Sequence, residues 1–146
     1  MEYSYYFGGK NMDLYEWTKH FIKYKDVIAK KIKNIKFLDT TIHVEEKSGT
    51  KKIYLIYENL EEGIKASSKL KEEKGIIVTL NTRTNVNTLS NKWKEILKKE
   101  QDITILFAHP GTNEKWMIHP ETHSKINEEE KLNESLEVLF NSIGKV

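Results

Sequence analysis

Three segments of this sequence are apolar almost throughout, and they constrain the fold more than any other feature. They read KKIYLIYE from residue 51, GIIVTLN from residue 75 and DITILFAH from residue 102, and they are rich in β-branched and aromatic residues. Strands without alternating polar positions are typical of a sheet that is covered on both faces. The sequence therefore predicts a central sheet between two helical layers.

The segments around these strands carry helical periodicity. A first helix begins after Asp13, its predicted N-cap, because apolar residues recur there at spacings of three and four. A second helix is predicted between Asn59, as its cap, and Gly75, as its stop. A third follows the polar segment NTRTN, and a fourth follows Asn127, its predicted cap. The predicted apolar stripe of the first helix consists of Leu14, Trp17, Phe21, Tyr24 and Ile28.

Short turn-like segments connect the remaining strands. LDT and KSGT separate IKNIKF, TIHVEE and KKIYLIYE, which predicts an antiparallel meander, and PGTNE joins DITILFAH to KWMIH in a hairpin. The order is helix, three strands, helix, strand, helix, two strands, helix. Strands joined through helices favour parallel neighbours. We therefore predict one three-layer α/β sandwich with a mixed sheet over residues 13–146, preceded by a flexible arm at residues 1–12.

The composition excludes several classes of function. The chain has 146 residues, 38% of them hydrophobic, which is enough for one core. It has no cysteine, which excludes disulfides and thiol catalysis and fits a reducing cytoplasm. Its apolar runs are much shorter than the roughly 20 residues that span a bilayer. We expect a soluble, cytoplasmic, single-domain protein without a membrane partner.

Lysine supplies all but one of the 24 basic residues, and the exception is Arg83. A lone guanidinium in such a chain indicates a place that needs a planar fork, as in bidentate binding of carboxylate or phosphate. Lys19, Lys23 and Lys30 lie off the apolar stripe of the first helix and predict a basic surface that binds phosphate. A solvated surface without a ligand is the alternative interpretation for all four residues.

Polar residues follow the parallel strands at their carboxyl ends, where ligands bind in open α/β sheets. Asn81, Arg83 and His109 occupy these positions. We predict that an anion binds between Arg83 and the backbone amides that open the next helix near Asn85. The sequence has no glycine-rich phosphate loop, which argues against the common nucleotide-binding mechanisms.

The histidines offer a zinc site as a further alternative. If PGTNE closes the hairpin, His109 pairs with Lys115, and His119 then lies about 13 Å further along the strand. One ion cannot bind both histidines. His119 and His123 could meet in a turn beside Glu121, but the sequence places no third ligand there.

The segment FLDTTIHVEEK, residues 37–47, contains acids that look like metal ligands. If Asp39 and Glu45 lay on one continuous strand, about 20 Å would separate them, which is too far for one metal ion. The meander offers another pairing, because Asp39 opens the second strand and Glu58 ends the third. In an antiparallel pair the start of one strand lies beside the end of the other, so these two carboxylates are predicted neighbours.

The element order of residues 13–81, together with Asp39 and Glu58, resembles the core of the PD-(D/E)XK nuclease superfamily, which has the restriction-endonuclease-like fold. The resemblance is topological and covers just over half of the chain. It implies that Asp39 and Glu58 hold Mg²⁺ and that DNA or RNA is the substrate. It also implies a lysine that orients or activates the attacking water.

The sequence departs from that family pattern at two positions. Leu60 stands where the family has its lysine, and Leu38 stands where the family has a proline. Lys65 on the following helix is the candidate substitute for the missing lysine. With it, the resemblance implies a Mg²⁺-dependent phosphodiester hydrolase whose catalytic residues are Asp39, Glu58 and Lys65.

Three other hypotheses need no catalysis. A nucleic-acid-binding module requires only the basic residues of the first helix, with Arg83. An interaction subunit would dock a protein partner, or a second copy of itself, through the hairpin or the last helix. A small-anion-binding module would use the carboxyl ends of the strands.

Overall fold

The computed structural model describes residues 12–71, 73–126 and 131–146. Most of the predicted arm, residues 1–11, and the predicted cap Asn127 lie outside these ranges. The helices are α1 (Leu14–Ala29), α2 (Leu60–Ser67), α3 (Arg83–Asn91), α4 (Trp93–Lys98), α5 (Pro120–Ile126) and α6 (Leu132–Asn141). The strands are β1 (Ile32–Phe37), β2 (Thr41–Glu46), β3 (Lys51–Ile56), β4 (Lys74–Leu80), β5 (Ile103–His109) and β6 (Glu114–Ile118).

The described strands form a six-stranded mixed sheet whose spatial order, β1 to β6, is the order of the sequence. β3, β4 and β5 run parallel, while β1 to β3 form an antiparallel meander and β6 returns antiparallel to β5. The predicted α/β sandwich with a mixed sheet is confirmed. Among the described helices, none is long and apolar enough to cross a membrane.

Successive residues of β3 pack into two separate cores. Ile53 and Leu55 point to one face of the sheet, where α2, α3, α4 and α6 pack. Tyr54 and Ile56 point to the other, where α1 packs. All four side chains are at most 8% exposed, so β3 is buried on both sides as its apolar run predicts. We call the first side of the sheet the filled face and the side under α1 the open face.

Helix α1 covers only part of the open face. Asp13 caps the helix as predicted, since its Oδ1 accepts a hydrogen bond from the Glu16 amide at 2.7 Å. Leu14, Trp17 and Ile22 are buried, but the predicted continuation of the apolar stripe is wrong. Tyr24 is 78% exposed and Ile28 is 91% exposed. Lys25, Asp26 and Ala29, which continue the buried positions at helical spacing, line a small cavity above the sheet.

Two predicted helix boundaries are also wrong. Gly75 does not stop a helix: α2 ends at Ser67, and Gly75 lies inside β4. A Cβ at Gly75 would lie 2.6 Å from Leu70 Cδ1 and 2.7 Å from Ile103 Cδ1, so close packing explains the glycine. The helix predicted after NTRTN begins inside that segment, at Arg83, because Thr82 caps it, and it breaks at Lys92, whose ψ of 10° separates α3 from α4.

The β5–β6 hairpin differs from its predicted register by one residue. His109 pairs with Glu114, and Lys115 pairs with Ala108. The turn therefore consists of residues 110–113, and Asn113 adopts a left-handed conformation with φ of 62°. After the hairpin the chain forms α5, where the sequence had predicted only a turn.

Candidate functional site

The chain reverses direction between β1 and β2 at the predicted place. The Leu38 amide donates a hydrogen bond to the Thr41 carbonyl at 2.9 Å, and Phe37 pairs with Ile42 across the turn. Residues 35–46 therefore form a hairpin rather than one straight strand. The reversal places Asp39 at the edge of the sheet where β2 begins.

The end of β3 lies beside this turn. The Ile56 amide donates to the Thr40 carbonyl at 2.8 Å, and the Tyr57 hydroxyl lies 3.1 Å from Thr40 Oγ1. Glu58 follows Tyr57, so Asp39 and Glu58 belong to the same edge of the sheet, and both side chains are exposed. We call this region, residues 38–41 and 57–58, the acidic edge.

The lysine that the nuclease comparison requires is absent from its family position in structure as in sequence. Leu60 is fully buried in the core of the filled face, and its amide donates to Asn85 Oδ1 at 2.9 Å. Lys65 is 75% exposed, and its Nζ lies 3.8 Å from Glu61 Oε2, one turn earlier in α2. Lys65 is thus engaged in a helix-surface ion pair, and its catalytic role remains a prediction.

The donors at the acidic edge suit Mg²⁺ in part. Magnesium commonly binds one or two carboxylates and keeps several waters, so Asp39 and Glu58 meet that minimum. Within the described ranges, no group of three or more histidine, aspartate and glutamate side chains is arranged to hold a metal ion. A magnesium ion here would rest on two carboxylates and water.

Two of the predicted phosphate-binding lysines converge on one aromatic ring. Lys19 Nζ lies 5.2 Å from the ring centroid of Phe37, and Lys23 Nζ lies 5.8 Å from it. Phe37 immediately precedes the β1–β2 turn, so this group borders the acidic edge. Sequence reasoning missed Phe37 because the ring comes from β1 while the lysines come from α1. We call Lys19, Lys23 and Phe37 the basic-aromatic patch.

Lys30 does not belong to this patch. It is the C-cap of α1, in the left-handed conformation with φ of 48°, and its amide donates to the Asp26 carbonyl at 2.9 Å. Eleven residues of helix separate Lys30 from Lys19, which corresponds to about 16 Å along the axis. A ligand that contacts both must extend along most of α1.

Arg83 forms the fork that the sequence predicted, but its partner is inside the protein. Its Nη1 and Nη2 donate to Glu137 Oε1 and Oε2 at 2.5 and 2.8 Å. Its guanidinium carbon also lies 4.4 Å from the ring centroid of Phe140. The carboxylate holds the pKa of Arg83 above its ordinary value, and the guanidinium holds the pKa of Glu137 below its own. Arg83 therefore ties α3 to α6, and an external anion would have to compete with Glu137.

The predicted anion site at the carboxyl ends of β4 and β5 is filled by the chain itself. Asn81 is fully buried; its Nδ2 donates to the Phe140 and Gly144 carbonyls, and its Oδ1 accepts from Trp116 Nε1 at 2.9 Å. The Asn85 amide donates to its own helix cap, Thr82 Oγ1, at 3.1 Å. These groups anchor the C-terminal segment and cap α3, so they are not available to an anion.

The histidines have separate environments. His109 accepts a hydrogen bond from the Thr112 amide at Nδ1, and His119 Nε2 lies 2.9 Å from Asp102 Oδ1. The ring of His123 packs edge-on against Trp93, with 5.6 Å between centroids. The structure does not bring the histidines together around one position.

A cleft of about 610 Å³ lies on the open face, at the amino ends of β4 and β5, beyond the region that α1 covers. Side chains from neighbouring strands form its floor, and side chains of α1 form one wall. Lys52 and Tyr54 come from β3, Ile76 from β4, Thr104 from β5 and Phe21 from α1. The sequence signal for it was present in the period-two pattern of β3, but the apolar neighbours of Tyr54 marked this residue as core.

The side of the cleft next to α1 is basic. Lys25 and Lys52 line it, and burial, together with the neighbouring Lys52 ammonium, lowers the pKa of Lys25. Lys52 Nζ is paired with Glu46 Oε2 at 3.0 Å. Burial raises the pKa of Tyr54 to about 12, with a smaller contribution from Glu46. The opposite side carries Asp102, paired with both His119 and Lys74, and Glu121.

Comparisons with protein-family models, with curated proteins and with solved structures gave no match to this chain. The geometry of the acidic edge, the basic-aromatic patch and the cleft is therefore the basis for functional inference.

Proposed function

We propose that this protein binds nucleic acid along the surface formed by the basic-aromatic patch and the acidic edge. The observation that carries the proposal is the reversal at residues 38–41, which places Asp39, Glu58 and Phe37 in one region of the surface. The observed order of α1, β1 to β3, α2 and β4 is also the order on which the nuclease resemblance rests.

The chemistry of the basic-aromatic patch supports a single-stranded ligand. Ammonium groups neutralise backbone phosphates, and an exposed aromatic ring offers a platform for a base. Phe37 is 39% exposed, so part of its surface is accessible beside the two lysines. An unpaired strand exposes the phosphates and base faces that these side chains require.

The enzymatic form of the proposal adds Asp39 and Glu58 as ligands of Mg²⁺. The ion would supply charge stabilisation and a more acidic bound water for phosphodiester hydrolysis. The chain's own part would be to hold the ion at the acidic edge and the phosphate backbone on Lys19 and Lys23. Lys65 can take part in catalysis only if its ion pair with Glu61 breaks.

Binding is tested by fluorescence anisotropy with labelled single-stranded DNA and RNA across a salt series. We expect affinity to fall with salt, and the Lys19→Gln/Lys23→Gln double variant to flatten the logarithmic slope by about 1.4. The matched control is Lys69→Gln/Lys98→Gln, which removes the same charge from exposed positions elsewhere. Equal affinity and slope in both double variants would contradict the proposal.

Catalysis is tested separately on the same oligonucleotides. The enzymatic form predicts Mg²⁺-dependent cleavage that Asp39→Asn abolishes while binding is retained. If the wild-type protein binds but never cleaves, the enzymatic form is wrong and the binding form stands.

A second candidate function is self-association, which the exposed apolar residues of α1 favour. Tyr24, Val27 and Ile28 share one side of the helix at spacings of three and four, and they are 78%, 64% and 91% exposed. Sedimentation velocity at increasing concentration tests this function. We expect a dimer that Ile28→Lys dissociates, and a concentration-independent monomer would exclude it.

A further inference from the structure

The cleft on the open face is lined by Tyr54, whose hydroxyl has no hydrogen-bond partner among the described residues. Tyr54 as a whole residue is 5% exposed, but its hydroxyl is not one of the buried polar atoms without a partner, so the hydroxyl reaches the space of the cleft. A hydroxyl in that position bonds to water in the ligand-free protein and is available to donate a hydrogen bond to a ligand.

The position of Tyr54 shows where such a ligand would lie. Tyr54, Lys25 and Lys52 line both the cleft and the adjoining cavity of about 130 Å³ under α1. The three polar groups therefore converge where the two spaces meet. Ile22 and Val44 line the smaller cavity and add apolar surface beside the three polar groups.

The charges beside Tyr54 leave a surplus of positive charge. Glu46 neutralises Lys52, and Asp102 neutralises Lys74 across the cleft. Among the described residues, no carboxylate lies within ion-pair distance of Lys25. Desolvation and, second, the neighbouring Lys52 ammonium lower the pKa of Lys25, although the residue as a whole is exposed.

We propose that the cleft binds a small molecule through an acidic head group, a phosphate or a carboxylate, which Lys25, Lys52 and the Tyr54 hydroxyl hold together. The head group accepts a hydrogen bond from the hydroxyl and compensates the Lys25 charge. The volume of about 610 Å³ is that of a typical small-molecule site.

The rest of the cleft sets the orientation and the body of the ligand. Phe21 and Met117 provide apolar surface in the cleft: the ring centroid of Phe21 lies 5.8 Å from Lys25 Nζ, and Met117 is 50% exposed. On the far side the carboxylates of Glu100, Asp102 and Glu121 outnumber the ammonium of Lys74, which disfavours an acidic head group there and favours a hydrogen-bond donor. The ligand is thus an acid with an apolar or aromatic body and a polar far end.

This site is separate from the proposed nucleic-acid surface. Lys52 lies near the start of β3, whereas Glu58 lies two residues beyond its end. Lys23 and Lys25 are two positions apart on α1, so their side chains do not share a side of that helix. The Lys19→Gln/Lys23→Gln variant should therefore bind a small acid with unchanged affinity.

The experiment uses two matched pairs of probes in titrations followed by amide NMR. AMP is compared with adenosine, and phenylacetate with 2-phenylethanol, so that only the acidic group differs within each pair. We expect the acid, but not its neutral counterpart, to shift the amides of Tyr54, Ile76 and Thr104. AMP alone would identify a phosphate head group, and phenylacetate alone a carboxylate.

Two variants test the head-group contacts. Tyr54→Phe and Lys25→Gln should each weaken binding of the active probe about tenfold, because each removes one hydrogen bond to a charged group. Lys33→Gln is the control, since it removes the same charge as Lys25→Gln from an exposed position outside the cleft. Thermal melting of each variant establishes that it is folded.

Three results would overturn the proposal. The first is that neither acid binds at millimolar concentration. The second is that each neutral probe binds as well as its acid. The third is that a folded Tyr54→Phe protein keeps the wild-type affinity. Each of these results would show that the Tyr54 hydroxyl does not bind an acidic ligand.

Discussion

The two faces of the sheet are formed by the same strands, but helices cover them to different extents. On the filled face, helices α2, α3, α4 and α6 pack over Phe107 and its neighbours and leave a continuous apolar core. On the open face, α1 packs over Leu106 and Ile42 but does not cover the amino ends of β4 and β5, where the cleft lies. The filled face therefore has the larger apolar core, while the open face combines a smaller core with a cleft that leaves room for a ligand.

The largest expected effect comes from Phe107, at the centre of the filled face. Its ring is fully buried and stacks on Trp116 with 4.1 Å between centroids. Phe107→Ala should lower the free energy of unfolding by about 3 to 5 kcal/mol, since it leaves a large cavity. Met117→Ala, on the open face, should change it by less than about 1 kcal/mol. Urea denaturation measures both, and equal losses would contradict the contrast between the faces.

The next effect concerns the hydrogen-bond network of Asn85. Its Oδ1 accepts from the Leu60 amide, and its Nδ2 donates to the Glu58 carbonyl at 2.8 Å and the Leu80 carbonyl at 2.9 Å. Asn85→Ala should cost about 3 kcal/mol, because buried backbone groups lose their partner. Asn34→Ala, at an exposed position of β1, is the control and should cost under about 0.5 kcal/mol.

A smaller effect is expected on the open face. Tyr54→Phe should change the stability of the ligand-free protein by less than about 0.5 kcal/mol, because the hydroxyl has no hydrogen bond to a described residue and is not a buried unsatisfied group. Its counterpart is Tyr57→Phe, which removes the 3.1 Å contact with Thr40 and should not stabilise. Thermal unfolding of the two variants compares them directly, and a clear loss in Tyr54→Phe would indicate a structural bond.

The smallest effect comes from the surface pair that ties α6 to α3. Because the Arg83 guanidinium lowers the pKa of Glu137 in the folded protein, the pair stabilises above the unfolded pKa of about 4.3. This contribution is lost as the pH falls through the folded pKa. Glu137→Gln should therefore be slightly less stable than wild type at pH 7 and equal to it near pH 2. If Glu137→Gln is still less stable than wild type near pH 2, the charge of Glu137 is not the cause of the difference in stability.

Local features were predictable from the sequence because their causes are local. Asp13 and Asn59 cap their helices as predicted, since a cap needs only an amide two or three residues away. The apolar run of β3 and the reversal near Leu38 were predictable for the same reason. The acidic edge follows directly from that reversal.

Other features depended on partners distant in sequence. Asn81 was interpreted as a ligand-binding residue, but it bonds to Phe140 and Gly144, about 60 residues away. Gly75 was interpreted as a helix stop because its close neighbour Ile103 could not be foreseen. Phe37 joins Lys19 only after β1 has folded back beside α1.

The sequence by itself determined which residues share a side of each strand and where α1 and α2 begin, because periodicity and capping are set within a few residues. Only the tertiary structure decided which of those sides would be covered. Coverage depends on how many helices pack on each face and how far they reach across it. After Ile22 the sheet-facing positions of α1 are Lys25, Asp26 and Ala29, which line a cavity instead of packing on the sheet, and the cleft lies beyond the region that this helix covers.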